Sequence, residues 1–274
     1  MTAAPPKAHA FAHPSSWPYP LWIAHRGAGT LAPENTLAAF RWGASQGYRM
    51  FECDVKLSSD GVPFLLHDDT LARTCDLSTL RAGANPVAGR HAWQALSQLD
   101  AGAWHSAAYA GEPLPTLNGI ARFCIANGYF LNIEIKPTVG TARHTGEVVA
   151  QHAARLWQGV AVPPLLTSFD IAALEGAMDA QPELPRGLLI HALDGNTWAQ
   201  WIDHASRLQC QAIVCNHELW TTESVALAKV AGFRLMSYTV NDPQEAQRML
   251  DLGTDGLITD RVDCFNPAVA SSTP

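Results

Sequence analysis

From residue 21 to about residue 260 the chain alternates short apolar runs with longer segments of helical character, and this rhythm constrains the fold more than any other feature. The strand-like runs are Leu21–His25, Met50–Leu57, Pro63–His67, Leu131–Lys136, Leu165–Phe169, Gly187–His191, Ala212–Cys215, Arg234–Val240 and Gly256–Thr259. Helix-like stretches run from Pro33 to about Gln46 and over 141–158, 170–180, 196–207, 221–231 and 242–251. Gly47 ends the first of these, as glycine commonly does. Asn241-Asp242-Pro243 opens the last with an N-cap and a first-turn proline. Repeated alternation with apolar strands predicts a parallel sheet covered by helices. The number of units fits a closed (β/α)8 TIM barrel, an α/β fold, better than an open doubly wound sheet. No GxGxxG or GxxxxGK(S/T) follows any strand, which removes the usual nucleotide-binding readings. Residues 69–118 break the rhythm and are too long for a plain loop, so an insertion after the second strand region is expected above the barrel.

A length of 274 residues suits one such barrel, and a composition 47% hydrophobic and 16% charged allows a large core. The net charge of −7 argues against a nucleic-acid partner and against adhesion to anionic membranes. It does not argue against a phosphate ligand, because a few local cations and a metal outweigh the global field. The six cysteines show neither a CxxC pair nor zinc-like spacing, so reduced, mostly buried thiols are expected. No run of about 20 apolar residues is present to span a membrane. Met1–Pro20, rich in Ala, Pro and His, lacks a basic segment leading into an apolar one and reads as a loose tail, with a cytoplasmic location the corresponding expectation. The expected organisation is a single barrel domain over 21–265, with a second flexible tail over 266–274.

On a barrel of this kind functional side chains sit at the C-terminal ends of strands. His25-Arg26 ends the first run, Glu52-Cys53-Asp54 lies in the second, His67-Asp68 ends the third, and Glu134-Ile135-Lys136 lies in the fourth. Side chains alternate faces along a strand, so Glu52 and Asp54 point one way while Phe51, Cys53 and Val55 point the other. By the same rule Glu134 and Lys136 share a face opposite Ile133 and Ile135. Glu-x-Asp on a strand is commonly an exposed face or a salt-bridge network. Here, though, neighbouring strands aim three carboxylates and a lysine at one interior, where unpaired charge is costly. A divalent cation would offset the repulsion, and an all-oxygen set favours Mg²⁺ or Ca²⁺ over zinc.

The ordered series Ala24-His25-Arg26-Gly27, Pro33-Glu34-Asn35-Thr36, Glu52-Cys53-Asp54-Val55, Ser59-Asp60-Gly61, His67-Asp68 and Glu134-Ile135-Lys136-Pro137 resembles the glycerophosphodiester phosphodiesterase family, bacterial cytoplasmic type. Ser168-Phe169, Tyr238-Thr239-Val240-Asn241 and Asp255-Gly256-Leu257-Ile258-Thr259-Asp260 continue the resemblance, and Leu99-Asp100-Ala101-Gly102 and Gly111–Leu117 extend it into the insertion. Three positions depart from the family pattern. Tyr238 stands where tryptophan is frequent, Ser58 where threonine is, and Arg261-Val262 where a proline often follows. These touch substrate preference and leave the chemical set complete.

The resemblance implies that Glu52, Asp54 and Glu134 bind one divalent cation and that His25 and His67 are the acid–base pair. Arg26 and Lys136 then balance the phosphoryl charge, and Tyr238 belongs to the substrate-side aromatic surface. The implied reaction converts glycerophosphodiesters to sn-glycerol 3-phosphate and an alcohol, through attack by the glycerol 2-hydroxyl and a cyclic phosphate. Direct attack by metal-bound water is the alternative route. Trp93, Trp104 and Tyr109 of the insertion either wall the alcohol side of the substrate or pack the insertion onto the barrel. The rival readings are a lysophospholipid- or sphingomyelin-directed phosphodiesterase on the same barrel, and a non-catalytic barrel that binds phosphorylated ligands. The expected partner is a small glycerophosphodiester, without stable membrane insertion, and a homodimer is left open.

Overall fold

The computed structural model describes residues 17–80 and 83–268, so most of the two expected tails, 1–20 and 266–274, lies outside the described residues. In chain order the elements begin β1 (Trp22–Ala24), α1 (Leu37–Ser45), β2 (Met50–Leu57), β3 (Pro63–Leu65), α2 (Trp93–Leu96), α3 (Leu117–Asn127), β4 (Phe130–Ile135) and α4 (Ala142–Leu156). They continue with β5 (Leu165–Ser168), α5 (Ile171–Ala180), β6 (Arg186–Ile190), α6 (Trp198–Arg207), β7 (Ala212–Asn216), α7 (Thr222–Val230), β8 (Arg234–Tyr238), α8 (Pro243–Asp251) and β9 (Gly256–Thr259). Strands β2, β4, β5, β6, β7, β8 and β9 pair in parallel in that order. β1 pairs with both β9 and β2, which closes eight strands into the expected (β/α)8 barrel.

Strand parity sorts the core into two layers. Ile23, Met50, Leu165, Leu189, Val214, Met236 and Ile258 meet inside the barrel, while Phe51, Cys53, Val55, Ile133 and Ile135 pack outward against the helices. Glu52 and Asp54 alternate with the outward set and therefore follow Met50 into the interior, above its apolar floor. Tyr19 joins that floor with its hydroxyl donating to the Pro163 carbonyl at 2.9 Å, and Trp17 packs edge-on against it. The loose tail expected to reach Pro20 therefore does not include Trp17 and Tyr19, because the open N-terminal end of the barrel needs an apolar closure. At the foot of β6 the buried Arg186 guanidinium donates to the carbonyls of Pro182, Leu184 and Leu208 at 3.1, 2.8 and 3.0 Å, satisfying two carbonyls of the loop between α5 and β6 and that of the residue capping α6.

Two further features differ from the expectation. β3 is not a barrel stave but runs antiparallel along the upper half of β2, with Val55 opposite Leu65 and Leu57 opposite Pro63. The five residues between Leu57 and Pro63 are too few for a parallel crossover, so the chain returns as a hairpin. The helix α3, capped by Thr116 and ended by left-handed Gly128, had no counterpart among the expected helices. The insertion before it has a small core of its own, with Phe64, Leu66, Leu71, Leu96, Leu99 and Leu114 buried together and Trp93 packed on them. No helix among the described residues is long and apolar enough to cross a membrane.

Candidate active site

The mouth of the barrel holds a cavity of about 200 Å³ lined by His25, Arg26, Glu52, His67, Asn132, Glu134, Lys136, Thr167, Phe169, Leu189, His191, Tyr238, Thr239 and Ile258. All the expected acid–base and cation-bearing residues meet here, together with two of the three expected carboxylates, and the third, Asp54, lies directly behind them. The register between β2 and β4 sets Asp54 opposite Glu134 and Glu52 opposite Asn132. One oxygen from each of Glu52, Asp54 and Glu134 falls within 4.8 Å of the others.

Like charges in adjacent register repel, and the surroundings balance them only in part. Asp54, 1% exposed, accepts from the Asn35 amide at 2.8 Å and lies 3.3 Å from Arg26 Nε and 3.5 Å from Lys136 Nζ. Glu134 accepts from Lys136 at 2.9 Å, and Glu52 accepts from the Arg26 backbone N–H at 3.0 Å. Glu52 Oε1 and Asp54 Oδ1 nevertheless remain buried without a hydrogen-bond partner. Burial, with the charge of Asp54 beside it, pushes the Glu52 carboxyl well above the ordinary carboxylate range. Burial also disfavours ionised Asp54, but the cations Lys136 and Arg26 outweigh it and hold that carboxyl low. Three adjacent carboxylates, two of them with a buried oxygen that has no hydrogen-bond partner, match the donor set of a hard divalent cation. The acidic cluster is thus able to hold a metal ion.

The two histidines are held alike. A carboxylate only accepts, so His25 donates its Nδ1–H to Asp260 at 2.6 Å and His67 donates its own to Asp68 at 2.8 Å, leaving each Nε2 available. His25 Nε2 stands 3.8 Å from Glu52. Burial opposes a charge on His25, but Asp260 and Glu52 outweigh it and raise its pKa, whereas burial lowers that of His67. Asp260 follows β9 and is itself fixed by Asn241, which donates to its carboxylate at 3.0 Å and accepts from its backbone N–H at 2.8 Å. A Cβ on Gly29 would collide with the Asp260 backbone, which is why the loop after His25 passes there as glycine.

His67 reaches the cavity for a different reason from the one the sequence suggested. It does not cap a barrel strand. The hairpin carries β3 back down from Leu57, Leu66 N–H bonds to the Asp54 carbonyl at 3.1 Å, and His67 is thereby returned to the level of the carboxylates.

Tyr238 lines the cavity with its ring, because its hydroxyl donates to the Ile190 carbonyl at 3.1 Å. Phe169 meets that ring edge-on, with centroids 5.7 Å apart, and Lys136 Nζ lies 5.7 Å from the Phe169 centroid. Of the two readings left open for the insertion's aromatics, Trp93 and Tyr109 follow the packing one. Trp93 packs in the insertion core, Tyr109 packs against the barrel core, and neither they nor Trp104 line the cavity. Sequence reasoning assigned no role to Asn35, Asp260, Glu34, Arg73 or His191. Asn35 and Asp260 stood within recognised motifs, and His191 stood at the end of a strand, so position was the available signal.

The sequence profile of the glycerophosphoryl diester phosphodiesterase family matches residues 25–264. A glycerophosphodiester phosphodiesterase of Caldanaerobacter subterraneus is 29% identical over 240 residues, covering 88% of this chain and 93% of the relative. Among solved structures, an Oleispira antarctica phosphodiesterase in complex with the product sn-glycerol 3-phosphate superposes with a TM-score of 0.77 at 31% identity, over 88% of this chain and 93% of that one. A glycerophosphodiester phosphodiesterase from Agrobacterium tumefaciens gives 0.72 at 26% identity, over 91% and 100%. With the profile spanning the barrel from His25 onward, and with relatives matched over nearly their whole length, this chain belongs to the glycerophosphoryl diester phosphodiesterase family of enzymes.

Proposed function

We propose that this enzyme hydrolyses small glycerophosphodiesters to sn-glycerol 3-phosphate and an alcohol in the cavity at the barrel mouth. The observation that carries the reading is the arrangement of His25 and His67. Each has its Nδ1–H held on a carboxylate, and both line one cavity with Glu52, Glu134, Arg26 and Lys136. The relative solved with sn-glycerol 3-phosphate as its product supports the substrate class. Glu52, Asp54 and Glu134 would hold one divalent cation, Mg²⁺ or Ca²⁺, which when bound neutralises a phosphoryl oxygen and lowers the pKa of a substrate hydroxyl.

The chain's own groups then divide the remaining work. Nε2 of one histidine accepts the proton of the glycerol 2-hydroxyl as that oxygen attacks phosphorus, and Nε2 of the other delivers a proton to the departing alcohol oxygen. Water opens the resulting cyclic phosphate with the two histidines exchanging roles, which restores both. Arg26 and Lys136 balance the negative charge that builds on the phosphoryl oxygens. The rings of Tyr238 and Phe169 give the cavity an apolar side.

The test is release of glycerol 3-phosphate from glycerophosphocholine by wild type, His25→Ala, His67→Ala and Glu52→Ala, with Mg²⁺, with Ca²⁺ and with chelator. Each histidine variant is expected to lose about 10²- to 10⁴-fold in kcat, and chelator is expected to abolish turnover. Absence of release from any glycerophosphodiester by folded, metal-loaded protein would overturn the reading, and turnover of lysophosphatidylcholine in its place would make the enzyme lipid-directed. Full-rate hydrolysis of a diester lacking the 2-hydroxyl would remove the cyclic phosphate from the route.

A further inference from the structure

We propose that Arg73, contributed by the segment that interrupts the barrel rhythm, is a positioning residue whose single guanidinium orients both His67 and Arg26. The inference rests on the reading of those two residues as acid–base group and phosphate-binding cation. Arg73 sits five residues beyond Asp68 in sequence and 39 beyond Glu34, and it grips both carboxylates at once. Its Nε and Nη2 donate to Asp68 Oδ2 and Oδ1 at 2.7 and 2.9 Å. Its Nη1 and Nη2 donate to Glu34 Oε2 and Oε1 at 2.7 and 2.8 Å.

The acceptors it fixes are the ones the cavity uses. Asp68 Oδ1 is the atom that receives the Nδ1–H of His67, and Glu34 Oε1 is the atom that receives Nη1 of Arg26 at 2.9 Å. A continuous chain of hydrogen bonds therefore runs from His67 through Asp68, Arg73 and Glu34 to Arg26. The hydrogen bonds of Arg73 hold the Asp68 carboxyl well below the ordinary range, so Asp68 stays an acceptor and His67 keeps its proton on Nδ1. Without Arg73, Asp68 and Glu34 would be two facing carboxylates with nothing between them, and each would be free to swing away from the residue it orients.

Two bidentate contacts made side by side require a planar fork with donors on two edges, which arginine has and lysine lacks. The Arg73 side chain is 42% exposed and that of Glu34 12%, so this bidentate network contributes modestly to folding, and thermal unfolding is read beside turnover to separate the two effects. Its consequence falls on the aim of the two cavity residues. Partners of this indirect kind typically change activity by about 10- to 100-fold when removed.

The experiment compares wild type, Arg73→Met, Arg73→Lys and His67→Ala by steady-state kinetics on glycerophosphocholine with saturating Mg²⁺, alongside thermal unfolding. Arg73→Met is expected to lose about 10- to 100-fold in kcat with KM changed by less than about threefold and an unfolding midpoint close to wild type. Arg73→Lys should recover only a small part of that loss, and added free guanidinium should restore turnover to Arg73→Met. The Arg73→Met/Asp68→Asn double variant should be no worse than the more impaired single one. Wild-type kcat in Arg73→Met, with His67→Ala inactive, would overturn the inference and leave the reading of the site intact. A loss in Arg73→Met that tracks a lowered unfolding midpoint and resists guanidinium would make Arg73 merely structural, which also overturns it. Unimpaired turnover by His67→Ala would instead remove the reading of the site on which the inference stands.

Discussion

Asn35 carries more of the site than its type suggests. It is 3% exposed, adopts a left-handed φ of +60°, and makes two bonds with one residue. Its amide donates to Asp54 Oδ2 at 2.8 Å, and its Oδ1 accepts from the Asp54 backbone N–H at 3.1 Å. Asn tolerates this conformation better than most residues, and its side chain fixes the rotamer of a carboxylate that otherwise lies between Glu52 and Glu134. Asn35→Gly keeps the backbone conformation and removes the amide, so the Mg²⁺ concentration for half-maximal activity should rise by about 10- to 100-fold. Asn35→Ala should show the same rise and also lose about 1 kcal/mol of stability to the left-handed backbone. A metal titration of Asn35→Gly that overlays wild type would remove Asn35 from the orienting role. The carboxylates themselves were legible, because the period of two along β2 and β4 places Glu52, Asp54, Glu134 and Lys136 on one face whatever the barrel's details. Their partners were not. Asp260 meets His25 across 235 residues only because β9 closes against β1, and Arg73 meets Glu34 only because the hairpin turns the chain back, so no local pattern encodes either pair.

At the scale of elements, the strands were read within a few residues, since each is a short apolar run bounded by turn residues. β2 and β9 have the expected limits, and the last helix, expected over 242–251, runs from Pro243 to Asp251. The misses have physical causes. α3 contains Gly119 and Asn118 in its first turn and follows directly on the insertion, so its sequence offers a weak helical signal until Thr116 caps it and Leu117, Ile120, Ala121 and Cys124 bury one face. The insertion owes its shape to Asp100, whose carboxylate accepts the backbone N–H groups of Gly102, Ala103 and Gly111 at 2.8, 2.9 and 2.7 Å and so clasps the two ends of the loop. Those backbone hydrogen bonds hold the Asp100 carboxyl below its ordinary value. A depressed carboxyl stabilises the fold fully above its unfolded pKa, near 3.9, and that contribution is lost as pH falls through the folded value. Asp100→Asn keeps an acceptor oxygen but loses the charge, at a cost of about 1 kcal/mol near neutrality. The difference in unfolding midpoint between wild type and Asp100→Asn should therefore be constant from about pH 8 to 5 and shrink below about pH 4. A difference that widens in acid would show that the clasp does not depend on the ionised carboxylate.

The whole barrel bears the charge that its mouth concentrates. Closure of eight strands brings Glu52, Asp54 and Glu134 within 4.8 Å above an apolar floor, and two of their oxygens have no hydrogen-bond partner. Folding without a cation must therefore desolvate and oppose these carboxylates, and a bound cation relieves both penalties at once. A ligand that binds only the folded chain at 100 times its dissociation constant stabilises by about 2.7 kcal/mol. In a domain of this size each kcal/mol raises the midpoint by about 2–4 °C. Calorimetry should accordingly show the wild-type midpoint about 5–10 °C higher with saturating Mg²⁺ or Ca²⁺ than with chelator. Glu52→Gln separates this account from nonspecific salt effects. Replacing the buried Glu52 carboxyl by an amide of the same shape should leave the chelated variant at least as stable as chelated wild type, while most of the metal-induced rise disappears. If instead Glu52→Gln is weaker than wild type in chelator and gains as much from metal, the strain of the mouth lies elsewhere than in its three carboxylates.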